Sequence, residues 1–269
     1  MPVCAAGGLH SSIAGITTLA SASGMSVFSI GGSYVHIGDA ANQLTGALVS
    51  CNSDGTFNSV LYASGHNITS GLPHTHTANV GNAICVTTVD DVNYMYIHYT
   101  SYPTLIYRGT WDDTNKYFSN FMTFASFTNS NLAYASTGMA RINDTTIMIT
   151  SGNATYGYCA TFNCRTGSTI QQPTSVGIFN PGTYTFSNTF ATAEGYMITA
   201  QAGDVAAWCF QVSSTGTPGT LNPNYTAGSY AQNFGHIMDS AGLSYKIYPS
   251  NYYNLAYYWP NTGTLYAYR

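Results

Sequence analysis

The chain has 269 residues, enough to bury a full core in one large all-β domain or in two small ones. Only 6% of them are Asp, Glu, Lys or Arg, against about 25% in ordinary soluble domains. Six basic residues in a net charge of −4 supply no stripe that would neutralise phosphates, which excludes nucleic acid as a partner, and no run of about 18 apolar residues is present to span a membrane.

Residues 1–24 are mostly small and polar, with Ile13, Ile16 and Leu19 among their apolar members. They read as an attachment arm, or as a strand over Ile13 to Leu19 that closes a ring against the C-terminal end. The N-terminus lacks the basic and sustained apolar regions of a signal peptide. From Ser26 onward, Tyr, Thr, Val and Ile suit a pleated surface while Gly, Asn and Ser suit turns. Helix formers are scarce: there is one Glu, Glu194, and there are two lysines.

A repeat runs through the rest of the chain. Tyr34–Ile37, Tyr94–Ile97, Thr146–Ile149, Gly195–Ile198 and Ser244–Ile247 are versions of one strand, their isoleucines 60, 52, 49 and 49 residues apart. A strand precedes each: Ser26–Ile30, Ala83–Val89, Gly138–Ile142, Asn188–Ala193 and Phe234–Met238. A third strand follows: Gly46–Ser50, Thr104–Gly109, Tyr158–Asn163, Ala206–Val212 and Leu255–Trp259. Next comes a turn of one chemical kind, Ser53-Asp-Gly-Thr56, Trp111-Asp-Asp-Thr-Asn115, Arg165-Thr-Gly-Ser168, Ser214-Thr-Gly-Thr217 or Asn261-Thr-Gly-Thr264. The fourth strands are Phe57–Ala63, Tyr117–Phe124, Thr169–Val176, Leu221–Tyr225 and Leu265–Arg269. Four short strands per repeat predict a five-bladed β-propeller over residues 25–269, with residues 1–24 as a short N-terminal arm; six blades remain open if residues 1–25 join a further strand.

The cysteines form neither a compact disulfide framework nor a CxxC metal pattern, and Cys51, Cys85, Cys159 and Cys209 fall inside strands as buried thiols. The Asn-x-Thr sequons at Asn67, Asn143, Asn153 and Asn224 are what a chain rich in Asn and Thr produces by chance.

Candidate chemistry lies in the loops of one propeller face. The second-to-third connections and the inter-blade loop Ser64–Gly81, with His66, His74 and His76, collect there. Asp39, Tyr102, Asp204, Tyr252 and Tyr253 are the candidate ligand residues, since aromatic rings stack on apolar sugar faces while carboxylates take hydroxyls. His74 and His76 alternate as two metal ligands on a strand would, but two histidines do not complete a site. No metal and no cofactor is therefore expected. Asp39, Asp204 and Glu194 are the carboxylates available for glycoside hydrolysis, although Asp at a turn commonly serves as a local acceptor. Neither a nucleophile elbow nor a phosphate-cradling glycine loop is present.

The aligned repeats, with their Asp-Gly-Thr, Thr-Gly-Ser and Thr-Gly-Thr turns, resemble the β-propeller modules of tailed-phage fibre and spike proteins. The resemblance is one of pattern over residues 26–269. It implies a non-enzymatic virion surface protein, exposed outside the cell, whose arm contacts other virion proteins and whose propeller binds a host-surface glycan or receptor, in symmetric copies. The alternatives are a secreted carbohydrate-binding propeller, similar to five-bladed animal lectins but without their Trp in each blade, and a glycoside hydrolase.

Overall fold

In a computed structural model, the structure describes residues 26–38, 44–53, 57–73, 84–99, 103–128, 136–152 and 156–178, together with Leu132 and the strands within 186–268. The N-terminal arm lies outside the described residues. The protein is an all-β propeller, and the strands among the described residues form five four-stranded antiparallel sheets, each ordered as its strands occur along the chain. The first sheet holds β1 (Ser26–Ile30), β2 (Tyr34–Gly38), β3 (Thr45–Cys51) and β4 (Phe57–Asn67). The second holds β5 (Ile84–Val89), β6 (Val92–Tyr99), β7 (Thr104–Asp112) and β8 (Tyr117–Phe127). The third holds β9 (Ser136–Arg141), β10 (Thr146–Gly152), β11 (Tyr156–Asn163) and β12 (Thr169–Ile178). The fourth comprises β13 (Phe186–Ala191), β14 (Tyr196–Gln201), β15 (Ala207–Val212) and β16 (Pro218–Asn222). The fifth comprises β17 (Ile237–Met238), β18 (Ser244–Tyr245), β19 (Leu255–Trp259) and β20 (Thr264–Tyr268).

First strands stand side by side, β1 next to β5, β5 next to β9 and β9 next to β13, and β1 also meets β17 of the last sheet. All four strands of the fifth sheet come from the C-terminal part of the chain. Residues 13–19, expected as a ring-closing strand, lie outside the described residues.

Local chemistry sets the hairpins. Asp90 and Asp91 take φ of 49° and 64°, and Gly31 and Gly32 take 58° and 73°. Two consecutive left-handed residues form the tight turn whose twist matches that of the flanking strands. The third-to-fourth turn of the second sheet is an Asx turn. Asp112 Oδ1 accepts the Thr114 and Asn115 amides at 2.9 and 3.0 Å, and Oδ2 accepts Asn115 Nδ2 at 2.8 Å. Those bonds, the Asn115 side chain first, hold the Asp112 carboxyl below its ordinary pKa.

The core sits between sheets. Ile30, Leu44, Leu48, Ile68, Ile84, Met95, Ile97 and Phe118 fill the seam of the first and second. Tyr96, Ile106, Phe127, Ile147, Ile149 and Phe162, with Cys85 and Cys164, fill the seam of the second and third. Because side chains alternate along a strand, β6 feeds both seams: Met95 and Ile97 point one way, Tyr96 the other. Cys85, Cys159 and Cys164 are free thiols, and burial pushes Cys85 and Cys159 up to about 12.

Register faults concentrate at the outermost pair. The β1–β2, β2–β3, β5–β6, β6–β7 and β9–β10 ladders run without interruption. By contrast, β3–β4 shifts register three times, β7–β8 twice and β11–β12 three times. No Asp, Glu, Lys or Arg lies in any of the outermost strands β4, β8, β12, β16 and β20. Edge strands are commonly protected from pairing with other chains by charge or by bulges. Here the bulges, Pro173 in β12 and the left-handed Asn120 in β8 interrupt the edge that charge does not guard.

Candidate functional site

Asp39, Tyr102, Asp204, Tyr252 and Tyr253 lie outside the described residues, as do His74, His76 and Glu194. Their bracketing strands are described. Asp39 follows β2 directly, Tyr102 falls between β6 and β7, Asp204 between β14 and β15, and Tyr252 and Tyr253 between β18 and β19. All five thus belong to the same connection, second strand to third, in four sheets of equivalent topology. His66 is different from the expectation. It is not in a loop: β4 runs on to Asn67, and His66 pairs with Gly46 of β3. The strand can extend because Gly65, at φ 70°, absorbs a bulge there.

Among the described residues, every cation is committed to the fold. Arg108 lies 3.9 Å from the Phe124 ring centroid and 4.5 Å from that of Tyr94. Arg141 reaches across to the Thr88 carbonyl and donates at 2.9 Å to the carbonyls of Asn143 and Asp144. Arg165 grips Asp90 of the neighbouring sheet with bonds of 2.9 to 3.1 Å. Lys116 donates to Tyr34 Oη at 2.6 Å and to Asp113 Oδ1 at 3.0 Å. Burial pulls the Lys116 pKa down, yet the bonds with Tyr34 and Asp113 outweigh it and leave the ammonium raised. Asp113, held below the usual carboxylate range by Tyr34 and Lys116, also accepts Trp111 Nε1 at 3.2 Å. Trp111 packs on Phe118 and Tyr34, with ring centroids 5.0 and 5.5 Å away. The Trp111–Asn115 segment is thereby used in joining two sheets.

Two features were not singled out from sequence. Asn67 Oδ1 accepts both the amide and the hydroxyl of Thr69, at 3.0 and 3.1 Å, and Asn143 does the same with Thr145 at 2.9 and 3.2 Å. Two of the sequons are therefore Asx turns with a structural task. The second feature is an aromatic row across the first sheet. Phe28 stacks near His36, with centroids 6.3 Å apart; His36 Nε2 lies 3.5 Å from the His66 carbonyl; and Tyr62 stacks on His66 at 4.1 Å and 10°. His36 is fully buried, and burial lowers its pKa to about 3. The signal in the sequence was Tyr-Val-His-Ile, in which the histidine holds the register position of Tyr96 in the next sheet. Among the described residues no group of His, Cys, Asp and Glu could hold a metal ion, and no helix is long and apolar enough to cross a membrane.

No family model and no curated protein matches the chain. Its likenesses are to solved propellers. An endo-arabinase from Bacteroides thetaiotaomicron shares 11% identity, with 91% of each chain covered and a TM-score of 0.49. A polysaccharide lyase, an ulvan lyase bound to its saccharide, shares 9% identity over 91% of this chain and 69% of its own, at a TM-score of 0.44. Regucalcin from Agrobacterium tumefaciens, a calcium-binding protein, shares 11% over 96% and 78%, at 0.45. At such identities the likeness is one of fold. The expectation of a non-enzymatic virion surface protein is corrected at this point: the similar structures include a polysaccharide lyase and an endo-arabinase, both enzymes, and those named include no phage fibre.

Proposed function

We propose that the protein binds an uncharged glycan at the edge carrying the second-to-third connections and hydrolyses it, with Asp39 and Asp204 as the paired carboxylates. The observation behind this reading is topological: both aspartates, with Tyr102, Tyr252 and Tyr253, sit in equivalent connections of the propeller. Glycoside hydrolysis needs one carboxylic acid to protonate the leaving oxygen and one carboxylate to activate water or attack the anomeric carbon. The tyrosines would present flat rings to the apolar faces of the sugars. An uncharged ligand fits the charge distribution, since net charge is −4 and, among the described residues, Arg108, Lys116, Arg141 and Arg165 are all engaged in the fold.

The test is release of new reducing ends from a panel of uncharged polysaccharides by the full chain. Asp39→Asn and Asp204→Asn are each expected to lower turnover by at least about 10²-fold. Release that both variants retain would remove the two aspartates from the reaction. Binding without release would reduce the protein to a glycan-binding propeller, and neither binding nor release would end the reading.

A further inference from the structure

We propose a second saccharide-binding place, on the outer strand of the first sheet, where Tyr62 lies flat against His66. It stands on its own geometry and does not depend on hydrolysis at the second-to-third connections.

Leu61 and Tyr62 are consecutive, so an undisturbed strand would send them to opposite faces. The register instead shifts between the Leu48–Tyr62 and Val49–Val60 pairs, leaving Leu61 as the extra residue. A bulge of this kind bends its strand and re-aims side chains. Both residues end up exposed, at 39% and 42% of their surface. One face of the Tyr62 ring rests on His66 at 4.1 Å and an interplanar angle of 10°. His66 is itself fixed, because its Nε2 bonds to the Lys116 carbonyl of the second sheet at 2.6 Å. The tyrosine is therefore a ring backed by a clamped imidazole, held in place before any ligand arrives.

Such preorganisation is what a weak stacking contact needs, since little side-chain entropy remains to be lost on binding. The chemistry around the ring selects the ligand. β4 contains no charged residue, and its exposed members include Asn58 and Ser64, an amide and a hydroxyl, while Ser59 Oγ bonds Ser50 and Asn67 Oδ1 bonds Thr69. A pyranose or furanose ring, with an apolar C–H face and hydroxyls at its rim, matches a flat aromatic surface set among uncharged polar groups. Among the described residues the Lys116 ammonium, whose backbone carbonyl clamps His66, is bound to Tyr34 and Asp113 and so is not offered to an anionic ligand.

Affinity electrophoresis of the full chain, in gels containing a soluble mixed-linkage glucan, an arabinan or a galactomannan, tests the site. In a chain already carrying Tyr252→Ala and Tyr253→Ala, at least one polysaccharide is expected still to slow migration. Adding Tyr62→Ala should then weaken that binding roughly two- to tenfold, the size of one aromatic stacking contact. Tyr62→Trp should keep it, and His66→Ala should weaken it by unclamping the ring. Thermal melting identifies any loss that comes from unfolding, and Tyr62→Leu, which keeps an apolar side chain but no ring, supplies the decisive variant if alanine unfolds the chain. Retardation by none of the three polysaccharides, or retardation that neither Tyr62→Ala nor Tyr62→Leu changes, overturns the proposal. Hydrolysis is scored separately through Asp39→Asn and Asp204→Asn, so either reading can fail alone.

Discussion

The two described seams of this propeller are built from different materials. The first and second sheets are joined by backbone as well as by side chains such as Lys116 and Trp111: the chain leaving β4 runs beside β8, with the Phe118 amide bonding the Ile68 carbonyl at 2.7 Å and the Ser70 amide bonding the Phe118 carbonyl at 2.8 Å. The second and third sheets are joined by side chains that end on backbone or on one another. Tyr96 Oη donates to the Cys164 carbonyl at 2.7 Å, Arg141 reaches the Thr88 carbonyl and Arg165 holds Asp90. Aromatic rings pack in both, with Tyr96, Phe124, Phe127 and Phe162 clustered in the second seam and Phe118, Trp111 and Tyr34 set among aliphatic residues in the first. A seam sewn by a chain segment resists single side-chain changes. One held by side-chain reach depends on a few close approaches.

The closest approach in the second seam is Gly167, at φ 76°, where an added Cβ would lie 1.9 Å from the Phe124 carbonyl oxygen. The obstacle is backbone, so Gly167→Ala is expected to cost about 3 kcal/mol or more, combining left-handed strain with a forced separation of the sheets. Its counterpart in the first seam is Gly31, at φ 58°, where a Cβ would meet the Asn93 side chain at 2.6 Å. That amide can swing away, so Gly31→Ala should cost only about 1 kcal/mol. Urea unfolding of both variants measures the difference, and equal costs would erase the contrast between the seams.

The first seam carries instead a pH dependence. His36 stays neutral in the folded protein down to about pH 3, whereas an unfolded histidine gains its proton below about 6.5. The unfolded state thus binds the extra proton, so stability is complete above about pH 6.5 and falls as pH drops, by up to about 1.4 kcal/mol per pH unit. Between pH 6.5 and 4.5 the low-pKa carboxylates Asp112 and Asp113 stay ionised, and the difference in denaturant midpoints between the unaltered chain and His36→Leu in that window isolates this histidine from the others. His36→Leu should flatten the slope by about one proton. An unchanged slope would assign the proton elsewhere.

A smaller effect is expected from Tyr96→Phe, which leaves the Cys164 carbonyl without its buried donor. About 1 to 2 kcal/mol should be lost, with the ring packing kept. The smallest should come from Arg165→Ala. Its partner carboxylate is 64% exposed and water screens the pair, so the loss should stay under about 1 kcal/mol and shrink further in salt. If Arg165→Ala cost more than Tyr96→Phe, charge rather than buried polar contact would be what closes the second seam.

Much of the strand plan was legible in the sequence because a repeated hydrophobic alternation fixes both period and face. β1 and β19 match their expected bounds, and most other strands shift by one to three residues. The largest miss has a physical cause. β4 extends to Asn67, and His66 changes from loop to strand, because bulges let a strand continue through residues that read as turn formers. Alternation does not announce a bulge, which inserts a residue and resets the pattern.

The candidate site divides along the same line. Sequence by itself determined the repeat, the four-strand unit, the lack of charge, and the assignment of Asp39, Tyr102, Asp204, Tyr252 and Tyr253 to one kind of connection, since all of these follow from local order along the chain. Only the tertiary structure decided that Trp111, Asp113 and Lys116 lock one sheet to the next, that Asn67 and Asn143 close turns, that His36 is buried and neutral, and that Tyr62 and His66 form an exposed stack. Each of those outcomes depends on what a neighbouring strand or sheet brings within a few ångströms, which spacing along a single chain does not encode.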